Sequence, residues 1–270
     1  MKDRFNKELA PLREKKLYLF DMDGTIYCEN RLFDGVLAML SSIKARGGHY
    51  VFITNNPTKS AKDYRKKLEG MGVSGLSDDN FFTSAQAAIL LMKEKHGKDL
   101  IYAQGTASFL SELSEAGLRV TTSYQEGIGA VLVAFDTELT AEKLRTTSYV
   151  LTTCDVPYYA TNPDWVCPVD FGYIPDCGSM CFGLEKATGK SPFYIGKPKP
   201  TMVEVAIGRF GVSKADTVVL GDRLYTDIAA GQAAGVDTVL VLSGEATLPE
   251  ALAAEAKPTY LVDWATDIFK

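Results

Sequence analysis

The sequence predicts an α/β fold: a doubly wound parallel sheet with a second α/β domain inserted between its two halves. Three observations carry this. Short apolar runs alternate with amphipathic stretches, the rhythm of strand–helix–strand units. The runs are continuously apolar, as in "LYLF", "TVVL" and "TVLV", which suits a sheet covered on both faces. Roughly a hundred residues in the middle of the chain exceed any single crossover between strands, and they contain elements of their own.

The first strand is "LYLF", 17–20. The stretch 33–47, "FDGVLAMLSSIKARG", reads as a helix with Val36, Leu37, Leu40 and Ile43 on one face and Gly47 as its stop. "HYVFIT", 49–54, is the next strand, and 60–68 a polar-faced helix ending near Gly70. In the middle stretch, "LIYAQG", "AVLVAF" and "PYYAT" read as strands, and "FLSELSEAG" and "TAEKLRTTSYVLTT" as helices. "NPDWVCPVDFGYIPDCGSM", 162–180, collects Pro, Gly and Asp and reads as irregular. The core pattern then resumes with strand "PFYIG", helix "PTMVEVAIGRFG", strand "TVVLGD", helix "TDIAAGQAAG", and strands "TVLVLSG" and "TYLVD". The expected division is a Rossmann-like core from 1–84 and 186–270, with an inserted α/β domain over 85–185.

The 270 residues are 46% hydrophobic and 23% charged, an ordinary globular composition. A formal net charge of −5 argues against nucleic acid and anionic membranes as partners. No run approaches the roughly 18 apolar residues of a membrane span, and the charged first sixteen residues lack the apolar core of a secretory signal. The expected compartment is the cytoplasm. Cys28, Cys154, Cys167, Cys177 and Cys181 follow neither a disulfide framework nor zinc spacing.

In an open parallel sheet, ligands gather beyond the carboxyl ends of the strands. The first strand ends in Asp21, with Asp23 in the turn after it. The second ends in Thr54, followed by Asn55 and Asn56. Lys197 follows "PFYIG", and "TVVLG" delivers Asp222, with Asp227 five residues on. Each piece alone is also what a turn, a solvated lysine or a helix-start acid looks like. Their occurrence together at successive strand ends points to a site.

At these residues the chain resembles the haloacid dehalogenase-like phosphohydrolases. Asp21-Met22-Asp23-Gly24-Thr25 matches the first motif of that family, Thr54 the second, Lys197 the third, and Gly221-Asp222 with Asp227 the fourth. "ITNNP", "ATNPD", "GKPKP" and "GDRLYTDIAAG" are similar to the branch of the NagD-type and p-nitrophenyl phosphatases. That branch carries a large α/β cap where this chain has its insert, and often a Pro-Gly pair where this chain has Pro175-Asp176.

The resemblance implies a phosphatase that hydrolyses small phosphate monoesters, such as sugar phosphates or nucleoside monophosphates, through an aspartyl-phosphate. It implies Asp21 as nucleophile and Asp23 as general acid and base. Lys197 neutralises phosphoryl charge and holds Asp21, while Thr54, Asn55 and Asn56 bind the phosphoryl oxygens. Magnesium is the implied cofactor, held by Asp21, Asp222 and the backbone carbonyl of Asp23, since a few oxygen ligands suit that ion. Asp227 orients Lys197 or a metal-bound water from behind. In the cap, the candidate substrate contacts are Asn162, Pro163, Asp164 and Trp165 with Cys177, Gly178 and Ser179. The expected partner is a small phosphorylated metabolite, and self-association through the cap stays open. A phosphomutase on the same core, a phospho-accepting receiver and a non-catalytic binding protein stand as alternatives. Free phosphate rather than an isomer separates the phosphatase from the mutase, and rapid turnover of p-nitrophenyl phosphate with magnesium separates it from the other two.

Overall fold

The computed structural model describes residues 1–169 and 171–270, with Pro168 by its backbone alone. It forms two compact units. The first comprises 1–54, 61–82 and 197–270, and the second 55–60 and 83–196.

The first unit is built on a six-stranded sheet. Its order is Tyr260–Val262, Asp237–Val241, Thr217–Gly221, Leu17–Phe20, His49–Thr54 and Phe81–Thr83. The pairings from 260–262 across to 49–54 are parallel. The register sets Phe20 against both Leu220 and Phe52, so the central strands end nearly level. Both faces are covered, which is why the strands are apolar throughout. Val239 and Val241 join one apolar cluster with Tyr18, Phe20, Phe52 and Ile43, while Leu240 joins another with Ile228, Ala251 and Leu261.

The helix Val36–Ala45 buries Val36, Met39, Leu40 and Ile43. This corrects the expected face: Leu37 is 46% exposed. Positions 36, 39, 40 and 43 form the i, i+3, i+4, i+7 stripe, from which Leu37 is turned away by about 100°. The expected helix from Thr226 begins instead as a π-helical turn, Leu224–Ile228, continued by the α-helix Ala229–Ala234. Elements that the sequence pattern did not mark include the strand Phe81–Thr83, the hairpin of Tyr27–Cys28 with Arg31–Leu32, the helix Leu248–Ala253, and the short helix Ala10–Arg13 with Leu9 and Leu12 buried.

The second unit has a five-stranded parallel sheet in the order Phe193–Tyr194, Tyr158–Ala160, Ile128–Val133, Leu100–Gln104 and Arg119–Thr121. "PFYIG" was expected as a strand of the core, but Phe193 and Tyr194 pair with Tyr159 and Ala160 in this sheet. Its apolar pattern announces a strand without naming a neighbour, and the free edge of 158–160 takes it. The stretch expected to be irregular contains an antiparallel hairpin, Val166–Val169 with Gly172–Pro175, and then the helix Cys177–Thr188. Among the described residues, no helix is long and apolar enough to cross a membrane.

Candidate active site

The site grows from the ends of the central strands of the first unit. The amide of Asp21 donates to the carbonyl of Leu220 at 2.8 Å, carrying the strand pairing one residue past Phe20. Asp21 is thereby held beside Gly221 and Asp222. Asp21, Asp222 and Asp227 each place a carboxylate oxygen in one group, all within 4.8 Å of one another.

Lys197 threads this group. Its ammonium donates to Asp21 Oδ1 at 2.6 Å, to Asp227 Oδ1 at 2.5 Å and to the carbonyl of Ile53 at 3.4 Å. Only 2% of the residue is exposed. The other oxygen of Asp227 accepts from the amide of Arg223 at 3.1 Å. Asp222 Oδ2 accepts from the amide of Glu245 at 2.8 Å.

Three glycines make room for the acids. A Cβ on Gly221 would stand 2.2 Å from Cβ of Asp227, and one on Gly24 or Gly244 would stand 2.5 or 2.0 Å from Asp222 Oδ2. Gly24 also has φ +80°, a conformation that side chains disfavour. The hydroxyl of Ser243 donates to the carbonyl of Gly24 at 2.6 Å, tying the loop after the strand 237–241 to the first motif.

Three carboxylates surround one ammonium, an excess of two negative charges when all are ionised. Burial and this crowding both act on the titration of the acids. Burial pushes the Asp21 carboxyl well up. Lys197 opposes the shift, and Asp227 and Asp222 add to it. Asp222 is pushed up to about 6, first by burial and then by Asp227, against the pull of the Glu245 amide. Burial works to discharge Lys197, but Asp21 and Asp227 outweigh it and its pKa is raised. An all-oxygen donor set with surplus negative charge fits a hard divalent cation such as magnesium.

Asp23 is not among the clustered carboxylates. Its side chain is 49% exposed. Its Oδ2 accepts from the hydroxyl of Tyr27 at 2.9 Å, and Lys67 Nζ lies 3.9 Å from its Oδ1. Thr54 closes its strand and is buried. Asn55 and Asn56 open the second unit, where their side chains have structural partners. Asn55 Nδ2 donates to Asp164 Oδ2 at 2.7 Å, and Asn56 Oδ1 accepts from Thr58 Oγ1 at 2.6 Å and from its amide at 3.0 Å.

Most of the expected cap contacts lie inside the second unit. Asn162 is fully buried and donates to Asp164 Oδ2 at 2.8 Å and to Asp176 Oδ1 at 2.9 Å. Asp176 also caps the helix Cys177–Thr188, accepting from the amide of Cys177 at 2.5 Å. That gives the departure from Pro-Gly a structural role. Gly178 is buried, and a Cβ there would meet the carbonyl of Pro163 at 2.3 Å. Cys177 is buried as well. Asn162, Asp164, Cys177 and Gly178 are thus buried and held by partners within the second unit. Trp165 is 56% exposed, with its ring in a T-shaped contact with Phe182. Ser179 is half-buried and donates to the carbonyl of Trp165 at 2.5 Å.

The sequence reading passed over Tyr27, Lys67, Gly244 and Glu245, all beside the acids. Gly244 and Glu245 follow a strand end just as the chosen residues do.

Comparison with known proteins places the chain among relatives. Residues 18–119 match the haloacid dehalogenase-like hydrolase family, and residues 194–268 match a family described as HAD-hydrolase-like. The ribonucleotide monophosphatase NagD of Escherichia coli is 30% identical over 253 residues, 94% of this chain and 98% of that protein. A 4-nitrophenylphosphatase of Thermotoga maritima superposes with a TM-score of 0.88 at 36% identity, covering 94% of this chain and 95% of the other. A glycerol phosphate phosphatase of Mycobacterium tuberculosis, solved in complex with magnesium, superposes with a TM-score of 0.88 at 29% identity, covering 97% and 78%.

The parallel α/β core, with carboxylates at its strand ends and a buried lysine between them, fits a hydrolase of the haloacid dehalogenase-like class, and the chain belongs to that family. Within it, the chain falls in the branch of NagD and the p-nitrophenyl phosphatases and is a phosphoric monoester hydrolase.

Proposed function

We propose that the protein transfers the phosphoryl group of small phosphate monoesters to Asp21 and then to water, with magnesium as cofactor. The observation that carries this reading is the buried Lys197 ammonium, held between Asp21 and Asp227 with Asp222 in the same group. Lys197 occupies Oδ1 of Asp21, which leaves Oδ2 as the attacking oxygen.

Phosphate monoesters resist hydrolysis because a dianion repels nucleophiles, so positioning and charge neutralisation do most of the catalysis. Asp21 Oδ2 bonds to phosphorus as the ester P–O bond breaks, and Asp23 passes its proton to the departing oxygen. In the second half Asp23 takes a proton from water as the water oxygen bonds to phosphorus and the Asp21–phosphorus bond breaks. Inorganic phosphate leaves, with Asp23 protonated again. The Thr54 hydroxyl and neighbouring amides, that of Asn55 among them, donate to the phosphoryl oxygens. Asp227 keeps Lys197 in place. Asp21, Asp222 and the backbone carbonyl of Asp23 would hold magnesium, which supplies positive charge to the phosphoryl oxygens and offsets the surplus of carboxylates.

The named relatives differ in substrate, so the leaving group is a matter for assay. The test is phosphate release from a panel of sugar phosphates, nucleoside monophosphates, glycerol phosphate and p-nitrophenyl phosphate. Turnover with magnesium, lost in excess chelator, is expected. Asp21→Asn is expected to lower kcat by at least about a thousandfold, removing the nucleophile, while the protein stays folded. Unchanged rates in chelator, or an active Asp21→Asn, would remove the metal or the nucleophile from this account.

A further inference from the structure

Asp23 has to present a proton to one oxygen of the leaving group, yet its side chain is 49% exposed. A short acid open to solvent samples several staggered rotamers unless something holds it. Here Tyr27 does. Its hydroxyl donates to Asp23 Oδ2 at 2.9 Å, and the residue is fully buried, so its position is set by the core. The ammonium of Lys67 stands 4.0 Å from the centre of the Tyr27 ring, a cation–π contact, and 3.9 Å from Asp23 Oδ1.

The backbone brings these groups together. The amides of Thr25, Ile26 and Tyr27 all donate to the carbonyl of Met22, and the Gly24 amide donates to the carbonyl of Tyr27. The chain therefore doubles back within four residues and returns the Tyr27 ring to Asp23.

We propose that Tyr27, backed by Lys67, is the positioning residue of the general acid and sets how well the enzyme expels poor leaving groups. This rests on the phosphatase reading above. With the hydroxyl donating to Oδ2, the transferable proton is carried on Oδ1. It passes to the ester oxygen as the P–O bond breaks, and Oδ1 takes a proton from water in the second half.

The test uses Tyr27→Phe, which keeps the ring and its contact with Lys67 and removes only the hydroxyl. The full-length variant and its parent are assayed with magnesium on p-nitrophenyl phosphate and on phenyl phosphate. The two esters share a ring, but phenolate is the more basic leaving group and has the greater need of a proton. The expected result is a fall in kcat of about tenfold or more on phenyl phosphate and no more than about threefold on p-nitrophenyl phosphate, with KM changed less than about twofold on either. The ratio of the two rates is independent of the fraction of protein folded. Equal losses on both esters would make Tyr27 a packing residue only, and the absence of loss on either would also overturn the inference. A parent that hydrolyses neither ester overturns the phosphatase reading itself, a result distinct from both.

Discussion

At the scale of residues, the site is a problem of crowded negative charge. Asp222 shows the result: burial first, and then the neighbouring Asp227, push its carboxyl up. An acid pushed from its ordinary 3.8 up to about 6 holds a proton in the folded protein that the unfolded chain has lost. Its contribution to stability is therefore fully present below pH 4 and is lost as pH rises through 6, a cost on the order of 2–3 kcal/mol. Asp222→Asn removes the charge and keeps an oxygen to accept from the Glu245 amide. In chelator, the melting temperature of the parent is expected to fall relative to Asp222→Asn between pH 5 and 7.5. Magnesium is expected to restore the parent and leave the variant unmoved. A parent whose melting curve ignores both pH and magnesium would contradict the charge argument.

Residue identities were the most legible part of the site. Asp21, Asp222 and Lys197 could be picked out because each follows an apolar run, and Asp227 by its spacing from Asp222; the structure brings all four together. Tyr27 and Lys67 were not picked out. A buried tyrosine and a helical lysine look like any core and surface residue until the fold places one against the other.

At the scale of elements, the loops carry the precision. The loop after the strand 237–241 contributes no side chain to the carboxylate group, yet its Gly244 lies against Asp222 and its Glu245 amide supports the same acid. Gly244→Ala adds a methyl group where Asp222 Oδ2 now sits. We expect it to lower kcat/KM about ten- to a hundredfold with weaker magnesium activation, as for other groups that support a metal ligand. Ser243→Ala, which loses only the bond to the Gly24 carbonyl, serves as the milder comparison. A fully active Gly244→Ala would show that the loop yields freely. The π-helical turn Leu224–Ile228 belongs to the same scale. Apolar spacing marks a helix there, but five residues are too few to tell the wider turn that carries Asp227 from an ordinary one.

At the scale of the whole molecule, the alternation of strands and helices and the long middle stretch made both sheets foreseeable. The partner of "PFYIG" was not foreseeable. A two-residue pairing at a sheet edge is decided by tertiary packing, which hydrophobic pattern does not encode. The buried network of Asn55, Asn162, Asp164 and Asp176 was hidden for a related reason. Polar residues in a Pro- and Gly-rich stretch read as surface until their partners are known. Among the expected cap contacts Trp165 keeps an exposed ring, and we propose it as a determinant of the leaving group. Trp165→Ala is expected to raise KM several-fold for an aromatic ester relative to glycerol phosphate. Equal KM changes for both would assign the ring to packing with Phe182.

The central claim is that Asp21 carries the phosphoryl group. It is tested most directly in Asp23→Asn, which retains the nucleophile and lacks the base for the second half. After brief reaction with p-nitrophenyl phosphate and magnesium, acid quench and peptide mapping by mass spectrometry should find a hydroxylamine-labile phosphoryl group on Asp21. A phosphoryl group on another residue, or turnover by the parent with none trapped in either protein, would contradict the account.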